Sequence, residues 1–389
     1  MQIGRIPYAN LYAEYIECRR EVDAAIDRCI TNSSFINGPE VLNFEQQWAA
    51  YTSSESCAGV SSGTSALMLA LLAVGVKPGD EVIVPTMSFI ATAEVVNQIG
   101  AHPIFVDIDE YHTIDIGQVA DCITEKTRAI VFVDLYGQTI DIQQLKLVAG
   151  TIPVIQDAAQ SSGCQYLGKT IGSLVDATCF SFYPGKNLSA MGDAGAVTGS
   201  LEITDRIKML RDHGRKEKYC HEIVGWNERL DGIQAAGLSA KLQYLDRWNS
   251  RRVQNANVYL SLLSAIPDIE LPKNNPVSSH VYNQFVIKTR RRDSLRKFLL
   301  DYNVETGIQF PLAMHQQPVY ATNNCLPVAE ELAATCLSLP VHAQCTTEEI
   351  AYVSDLIRQF FILPEDTGQE NMFVTTANQN YFFDSQNRP

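Results

Sequence analysis

The sequence predicts an α/β fold in which helices cover both faces of a mostly parallel sheet. Two observations support this prediction. Short apolar strands alternate with helical segments, and the connections are long enough to make the crossovers that parallel strands require. The predicted strands are 81–85, 102–108, 129–135 and 153–159. Because ligands of such sheets bind beyond the carboxyl ends of the strands, residues 85–89, 136–138 and 157–160 are expected to line a site.

Helical spacing of apolar residues marks the segments between these strands. Glycine and proline end two of them: Lys77-Pro78-Gly79-Asp80 follows the first apolar helix of the sheet region, and Gly100 closes another. The predicted helices are 13–31, 65–76, 88–100, 141–149, 203–214 and 233–266.

The chain has 389 residues, which is more than one hydrophobic core usually supports, so two domains are expected. Residues 1–262 are assigned to an N-terminal arm and a large domain. Residues 263–364 are assigned to a smaller α+β domain, and residues 365–389 to a polar tail that docks through one of its aromatic side chains or remains free. The predicted elements of the small domain are strands 281–288 and 306–310 and helices 293–303 and 346–361.

Composition excludes several classes of protein. The formal net charge is -14, with 30 Lys+Arg against 44 Asp+Glu, which argues against nucleic-acid binding but permits an anionic small molecule in a locally positive pocket. No apolar run reaches the ~18 residues of a membrane-spanning helix, and the N-terminus lacks a signal-peptide core. The ten cysteines form no CxxC pair. We therefore expect a cytoplasmic protein with reduced thiols, no metal site and no membrane partner.

Lys186 is the most informative residue. It follows a predicted strand and the turn formed by Pro184 and Gly185, so it is presented on a rigid bend. A lone lysine is usually a solvated surface charge. A Schiff-base lysine instead needs a fixed, partly desolvated amine whose neutral form is accessible near pH 7, and this context favours that role for Lys186.

Asp157 lies at the carboxyl end of a predicted buried strand, where an unpaired carboxylate is costly. A protonated pyridine nitrogen of a cofactor is a suitable partner, because its positive charge makes the ring an electron sink. The alternative is that Asp157 caps a following helix. Gln160 would lie on the same side of the turn, where its amide is able to bond a ring hydroxyl oxygen.

A phosphate site is predicted at the start of the helix after Ser61. Free backbone N–H groups at Gly63, Thr64 and Ser65 would face the anion, and the missing side chain of Gly63 allows close approach. Ser181 would add a hydroxyl. Ordinary helix capping is the alternative, since serine and threonine cap most helices. Phe89, just beyond a strand, is predicted to stack on the cofactor ring or to belong to the core.

Six segments together resemble the nucleotide-sugar aminotransferases of the DegT/DnrJ/EryC1/StrS family, and the resemblance covers roughly residues 5–363. The segments are 62–93, 133–142, 154–163, 181–197, 211–219 and 225–242. The resemblance implies the fold-type-I architecture of aspartate aminotransferase and pyridoxal 5′-phosphate as cofactor. It also implies L-glutamate as amino donor with 2-oxoglutarate as product, a nucleotide-linked keto-sugar as acceptor, and a homodimer with shared active sites.

The resemblance also assigns roles by position. Lys186 matches the Schiff-base lysine, Asp157 the partner of the pyridine nitrogen, and Gln160 the contact to the ring hydroxyl. Asn227 matches an asparagine that reaches the phosphate from the neighbouring subunit. The remaining matched positions are a stacking residue, Phe89, and the phosphate contacts Gly63, Thr64, Ser65 and Ser181. Some relatives lack the lysine and act as dehydratases, so its presence here favours transamination.

The segments at 181–188 and 135–138 are most similar to the subgroup that often aminates C3 of a dTDP-linked 3-keto-6-deoxyhexose, for a surface polysaccharide or a glycosylated natural product. Asn283 and Gln309 stand where relatives often carry histidine. A different sugar, or amination at a different carbon, is therefore an alternative. A 4-keto-sugar or inositol-type substrate, a dehydratase and a regulatory relative without catalysis remain alternatives.

Candidate substrate contacts are the weakest part of the prediction. A basic cluster at Arg211–Lys218 either binds the nucleotide diphosphate at the mouth of the site or is a solvated loop. The histidines at 315 and 342 are either substrate contacts or structural residues. The candidates carried forward are Tyr183, His213, Arg215, Lys216, Arg229, Gln309 and His315.

Overall fold

The computed structural model describes residues 4–320 and 324–362. The predicted tail at 365–389 lies outside the described residues. The described helices are α1 (Leu11–Thr31), α2 (Pro39–Tyr51), α3 (Gly63–Ala73), α4 (Ala91–Ile99), α5 (Ile116–Cys122), α6 (Ile142–Ala149), α7 (Leu201–Leu210), α8 (Gly232–Leu242), α9 (Leu245–Leu263), α10 (Arg292–Asp301), α11 (Pro327–Thr335) and α12 (Thr347–Ile362). The described strands are β1 (Ser56–Val60), β2 (Glu81–Pro85), β3 (His102–Val106), β4 (Thr127–Val133), β5 (Val154–Asp157), β6 (Gln165–Tyr166), β7 (Lys169–Thr170), β8 (Ala177–Ser181), β9 (Gly195–Gly199), β10 (Arg215–Glu217), β11 (Cys220–His221), β12 (Phe285–Lys288) and β13 (Cys336–Leu339).

A seven-stranded sheet with the order β1-β9-β8-β5-β4-β2-β3 forms the centre of the molecule. β9 is antiparallel to both of its neighbours, and the pairs from β8 to β3 are all parallel. The mostly parallel sheet predicted from the sequence is therefore present. Since its parallel strands share a direction, the carboxyl ends of β2, β4, β5 and β8 meet at one edge.

Apolar side chains project from both faces of the sheet. In β2, Ile83 packs into one core cluster, whereas Val82 and Val84 pack into the cluster on the other face. One cluster contains buried residues of α2, α5, α6 and α8, and the other contains buried residues of α3, α4 and α7. Because both faces are covered, the strands are mostly apolar and show no regular alternation of apolar and polar residues.

A third cluster forms around the short antiparallel pair β12–β13. It joins α9, α10 and α12 to this pair, and Ile6 from the N-terminal arm packs with them. Ala256, Tyr259 and Leu263 at the end of α9 belong to it. The boundary proposed at residues 262 and 263 thus falls at the end of a helix that already packs with the small domain, and it stays a prediction.

The structure corrects three predicted elements. The helix predicted over 233–266 is two helices, because the chain turns at Gln243 and Tyr244 between α8 and α9. The helix predicted over 203–214 ends at Leu210. Residues 306–310 form no strand, and Gly307 makes only an isolated bridge to Ser338 of β13. β13 and α11 were not predicted, since both are short and lack a strong period.

The break between α8 and α9 has a tertiary cause. α8 packs against α1 and α2, while α9 packs against α12. Tyr244 at the break stacks on Trp248, with ring centroids 5.6 Å apart, and Trp248 is buried in a cluster with Cys18 and Val22 of α1. No glycine or proline lies at 243–245, so local sequence carries no signal for the turn.

The search for membrane-spanning segments found no helix of sufficient length and apolarity among the described residues. All ten cysteines are free.

Candidate active site

A cavity of about 650 Å³ opens at the carboxyl edge of the central sheet. Its walls come from the ends of β4, β5 and β8, from the start of α3, and from residues of the small domain such as Gln284 and Val341. The predicted site residues that line it are Gly63, Thr64, Phe89, Asp157, Gln160, Ser181, Tyr183, Lys186 and Gln309. The edge-of-sheet rule therefore located the cavity, to which residues 85–89 and 157–160 contribute and residues 136–138 do not.

Lys186 and Asp157 face this cavity from different segments. The Lys186 ammonium forms no hydrogen bond or ion pair with any described residue, although it is coupled electrostatically to Asp157. Burial lowers the pKa of Lys186 to about 8, and the opposite charge of Asp157 partly opposes that shift. The neutral, nucleophilic amine is thus accessible near physiological pH.

Asp157 ends β5 and is buried, with 5% of its surface exposed. Its carboxylate accepts hydrogen bonds from Thr92 Oγ1 at 3.0 Å and from the Ala159 N–H at 3.2 Å. Burial raises the pKa of Asp157, because no cation of the chain forms an ion pair with it within the described residues. No helix follows directly after β5, so the alternative role of Asp157 as a helix cap does not apply.

The backbone of the segment that follows β4 orients Gln160. Its Oε1 accepts a hydrogen bond from the Tyr136 N–H at 2.6 Å. Tyr136 has a positive φ of 65°, which turns its N–H toward Gln160. The amide nitrogen of Gln160 has no acceptor in the described part of the chain, and it remains available to a group in the cavity.

The start of α3 forms the other end of the cavity. Ser62 caps the helix by accepting a hydrogen bond from the Ser65 N–H at 3.0 Å. A Cβ added to Gly63 would lie 2.7 Å from Ser181 Cβ, so only glycine allows this close approach of the helix to β8. The exposed N–H groups of the first turn and the Ser181 hydroxyl are suited to an anion.

Ser65 differs from the prediction. It does not line the cavity, and its hydroxyl bonds to Ser61, Ser62 and the carboxylate of Glu228. Because its backbone N–H also binds the Ser62 hydroxyl, both of its donors are engaged away from the cavity. Its position does not support the predicted phosphate contact.

Two exposed aromatic rings stand at the cavity. Phe89 is 57% exposed, although it follows a buried strand, and its ring lies 6.0 Å from that of Phe310 with a tilt of 43°. Tyr183 is also 57% exposed. A phenylalanine of the core would be covered, so the core alternative for Phe89 is wrong. Both rings are placed to contact a ligand.

Five other candidates lie outside the cavity of their own chain. Asn227, His213 and Lys216 are exposed around the β10–β11 hairpin. Arg215 and Arg229 both form salt bridges with Asp212, and Lys216 pairs with Glu222. Arg211 is not part of an exposed basic cluster, because it is buried against Glu45 and the Gly59 carbonyl. A ligand contact from any of the five candidates would have to be made in the cavity of a second subunit.

His315 has a structural environment. Its ring nitrogens bond to Thr86 Oγ1 at 2.6 Å and to Glu330 at 3.2 Å. It is 2% exposed and does not line the cavity. A direct substrate contact is excluded by this burial.

Tyr8, Thr92 and Arg252 also line the cavity, and the sequence did not single them out. His342, named from the sequence as either a substrate contact or a structural residue, lines it as well. Thr92 orients Asp157 and is itself bonded to Ser88 at 2.9 Å. Its place in the first turn of α4, the helix that follows β2, was an available signal. Tyr8 and Arg252 are brought in by the N-terminal arm and by α9, which no local pattern indicates.

The cavity fits pyridoxal phosphate. It contains the Lys186 amine and the Asp157 carboxylate, which influence each other electrostatically without forming an ion pair. It also contains a helix start with a glycine, suited to a phosphate, and an exposed aromatic ring. Within the described residues, no group of histidine, cysteine or acidic side chains is arranged to hold a metal ion.

Comparison with known proteins agrees with this chemistry. Residues 17–358 match the DegT/DnrJ/EryC1/StrS aminotransferase family. The chain is 42% identical over 364 residues to the dTDP-3-amino-3,4,6-trideoxy-α-D-glucose transaminase of Streptomyces venezuelae, which covers 92% of this chain and 96% of that protein.

Solved structures give the same result. The structure of S. venezuelae DesV in complex with a ketimine intermediate superposes with a TM-score of 0.91 at 41% identity, covering 93% of this chain and 100% of that chain. NtdA from Bacillus subtilis, with bound cofactor PMP, superposes with a TM-score of 0.87 at 30% identity, covering 93% of this chain and 86% of that chain. The protein therefore belongs to the DegT/DnrJ/EryC1/StrS aminotransferase family, which confirms its predicted fold class, its pyridoxal phosphate cofactor and its aminotransferase activity.

Proposed function

We propose that the protein transfers the amino group of L-glutamate to C3 of a nucleotide-linked 3-keto-6-deoxyhexose, with dTDP as the expected nucleotide. The main observation behind this proposal is that one cavity contains both Lys186 and Asp157. The name of the S. venezuelae relative, a transaminase of a 3-amino sugar on dTDP, supports the choice of sugar and carbon. The product would be an amino sugar for a surface polysaccharide or a glycosylated natural product.

Each cavity residue has a proposed role. Pyridoxal phosphate supplies an electrophilic carbon for the amine and a protonated ring that delocalises negative charge. Lys186 would hold the cofactor through its amine and would move the proton at the Cα of the donor as general base and general acid. Asp157 keeps the ring nitrogen protonated, with Thr92 holding its carboxylate in place. Gln160 donates to the ring oxygen through its free amide nitrogen.

The phosphate is bound at the start of α3. The N–H groups of Gly63 and Thr64 and the Ser181 hydroxyl provide the contacts, and the helix dipole favours the negative charge. Phe89 stacks on the ring, while Tyr183 and Gln309 lie where they contact the sugar. These assignments are supported by the shared cavity and by the directions of the hydrogen bonds described above.

A homodimer with shared active sites completes the proposal. Asn227 is exposed on a single chain and lies outside its own cavity, which supports a contact to the phosphate in a second subunit. Exposed large apolar side chains, among them Phe35, Ile36, Met191 and Val224, are available to an interface.

Free thiols at all ten cysteines support a cytoplasmic location, where thiols stay reduced. Nucleic acid and membranes are not expected as partners.

A pair of half-reactions tests the proposed function. The holoenzyme is first treated with L-glutamate, and we expect loss of the visible absorption of the aldehyde form with stoichiometric 2-oxoglutarate. The aminated enzyme is then offered nucleotide-linked 3-keto- and 4-keto-6-deoxyhexoses and a keto-inositol. We expect the dTDP-linked 3-keto-sugar to restore the aldehyde form fastest. Product formation without an amino donor would instead indicate a dehydratase, and no bleaching with any amino acid would indicate a regulatory protein.

The pH dependence of cofactor capture tests the state of Lys186. Only the neutral amine attacks pyridoxal phosphate, and burial lowers the pKa of Lys186 to about 8. Because a lysine is neutral above its pKa, we expect the capture rate of the apoenzyme to rise as pH increases through about 8 and then to level off. Stopped-flow absorbance measures this rate. Asp157→Asn removes the charge that opposes the shift and should move the rise to lower pH. A rise that begins only near the ordinary lysine pKa of 10.5 would contradict the prediction.

A further inference from the structure

Arg252 of α9 is a buried cation that lines the cavity. Only 6% of its surface is exposed. No described carboxylate lies within ion-pair distance of its guanidinium, and burial lowers its pKa. Since a buried charge is costly unless it is paired, this arrangement calls for an anion from outside the chain.

Two buried cations outside the cavity obey the pairing rule. Arg211 is paired with Glu45, and Lys241 is paired with Glu14 at 2.7 Å. Glu14 also influences Arg252 electrostatically, but its carboxylate is already bound to Lys241 and Ser189. Arg252 therefore differs from Arg211 and Lys241, because it has no carboxylate partner among the described residues. It also lines the cavity, which they do not.

The hydrogen bonds of Arg252 leave one edge of its guanidinium free. Nη1 donates to the carbonyls of Tyr282 and Asn283, at 3.3 Å in each case. Nε is buried without a partner in the described residues, and Nη2 also makes no hydrogen bond to them. Nε and Nη2 point along the same edge, which is an edge that binds a carboxylate with two parallel hydrogen bonds.

His342 adjoins Arg252 in the same wall. It is 6% exposed and lines the cavity, but its ring nitrogens are buried beside the Pro7 carbonyl and the Gln344 side chain. Burial and the charge of Arg252 lower its pKa to about 4, so the ring is neutral at physiological pH. His342 therefore adds no charge to this part of the wall, and Arg252 is the group that calls for an anion.

We propose that Arg252 forms the subsite for a carboxylate of the amino donor; this rests on the proposed transaminase function. Asn283, whose carbonyl binds Arg252, donates from its side chain to Asn187 at 2.9 Å, and Asn187 adjoins Lys186. The subsite is thus linked to the segment that carries the reacting amine. The carboxylates of an amino acid lie a few bonds from its amine, whereas a nucleotide diphosphate is separated from the reacting carbon by the whole sugar.

Separate half-reactions test the subsite. We expect Arg252→Gln to lower the second-order rate constant for L-glutamate by 10- to 100-fold, as for the loss of a charged hydrogen bond. The reaction of the aminated enzyme with the keto-sugar should change by less than about 3-fold. Arg252→Lys keeps the charge and should fall between wild type and Arg252→Gln. A larger loss in the keto-sugar step would overturn the proposal and indicate a diphosphate subsite.

Amide analogues separate binding from a structural role. L-Glutamine lacks the side-chain carboxylate, and the α-amide of L-glutamate lacks the other one. If Arg252 binds a carboxylate, the penalty of Arg252→Gln disappears for the analogue that lacks this group and persists for the other. An equal penalty for all three donors would show that Arg252 only supports the fold, and would overturn the proposal.

Arg251→Gln is the matched control, because Arg251 is the preceding residue of α9 and pairs with Glu17 outside the cavity. It should react with all three donors like the wild type. Binding of glutarate, a dicarboxylate without an amine, is then measured by calorimetry on the holoenzymes. We expect weaker binding by Arg252→Gln and unchanged binding by Arg251→Gln, and equal binding by both would contradict the subsite. If the wild type binds glutarate but does not react with glutamate, the donor proposed above fails while the subsite stands.

Discussion

Replacement of Lys186 by alanine is expected to lower turnover by a factor on the order of 10³ or more, because one side chain both binds the cofactor and moves the proton. The folded chain should tolerate the change, since the amine forms no hydrogen bond or ion pair with a described residue and burial disfavours its charged form. Steady-state amino transfer measures the first effect, and thermal unfolding of the apoenzyme measures the second.

Lys169→Ala is the control for this experiment. Lys169 is the exposed first residue of β7 and does not line the cavity that contains Lys186. It should retain full turnover. Undiminished turnover of the Lys186→Ala enzyme would remove the basis for the active site described here.

Replacement of Asp157 by asparagine is expected to lower the rate of the glutamate half-reaction by about 10²- to 10³-fold, the range found when one preorganised electrostatic group is removed. An amide has nearly the same shape: its oxygen still accepts from the Ala159 N–H, and its NH2 group donates to Thr92 Oγ1, which reverses the bond that Thr92 donates to the carboxylate. It carries no negative charge, so it no longer holds the ring nitrogen in its protonated form. Single-turnover absorbance measurements with L-glutamate test this expectation.

The same substitution should not destabilise the apoenzyme. Burial raises the pKa of Asp157, which means that folding disfavours its negative charge, and asparagine removes that charge. We expect an unchanged or higher unfolding temperature together with the slow half-reaction. Asp176→Asn serves as control, because Asp176 binds the Val154 N–H at the opposite end of β5. Equal rates for the two variants would contradict the role of Asp157.

Local sequence was sufficient for the parts of the site that follow strand ends. β2, β4 and β5 are short runs of β-branched and aromatic residues, and the rule for ligands in α/β sheets directs attention to the residues that follow them. Lys186, Asp157 and Gln160 were found in this way, and so was the helix start at Gly63. Each of these positions depends on a few neighbouring residues, so a short stretch of chain contains the information.

Contacts between distant segments were not predictable in the same way. Ser65 is drawn from the cavity by Glu228, a residue 163 positions later in the chain. Arg252 reaches the cavity because α9 begins after an unpredicted turn and then packs with the small domain. Arg211, which looked like part of a basic patch, is buried by Glu45 of α2.

The sequence by itself determined the fold class and the family, and it located the lysine and the carboxylate that we propose as reacting groups, because strand pattern, turn residues and motif spacing are local properties of the chain. Only the tertiary structure decided which charges are paired, which polar groups face the cavity and where the second half of the chain turns. The physical reason is that burial and ion pairing depend on contacts between segments that are far apart in the sequence. A local sequence pattern contains no information about those contacts.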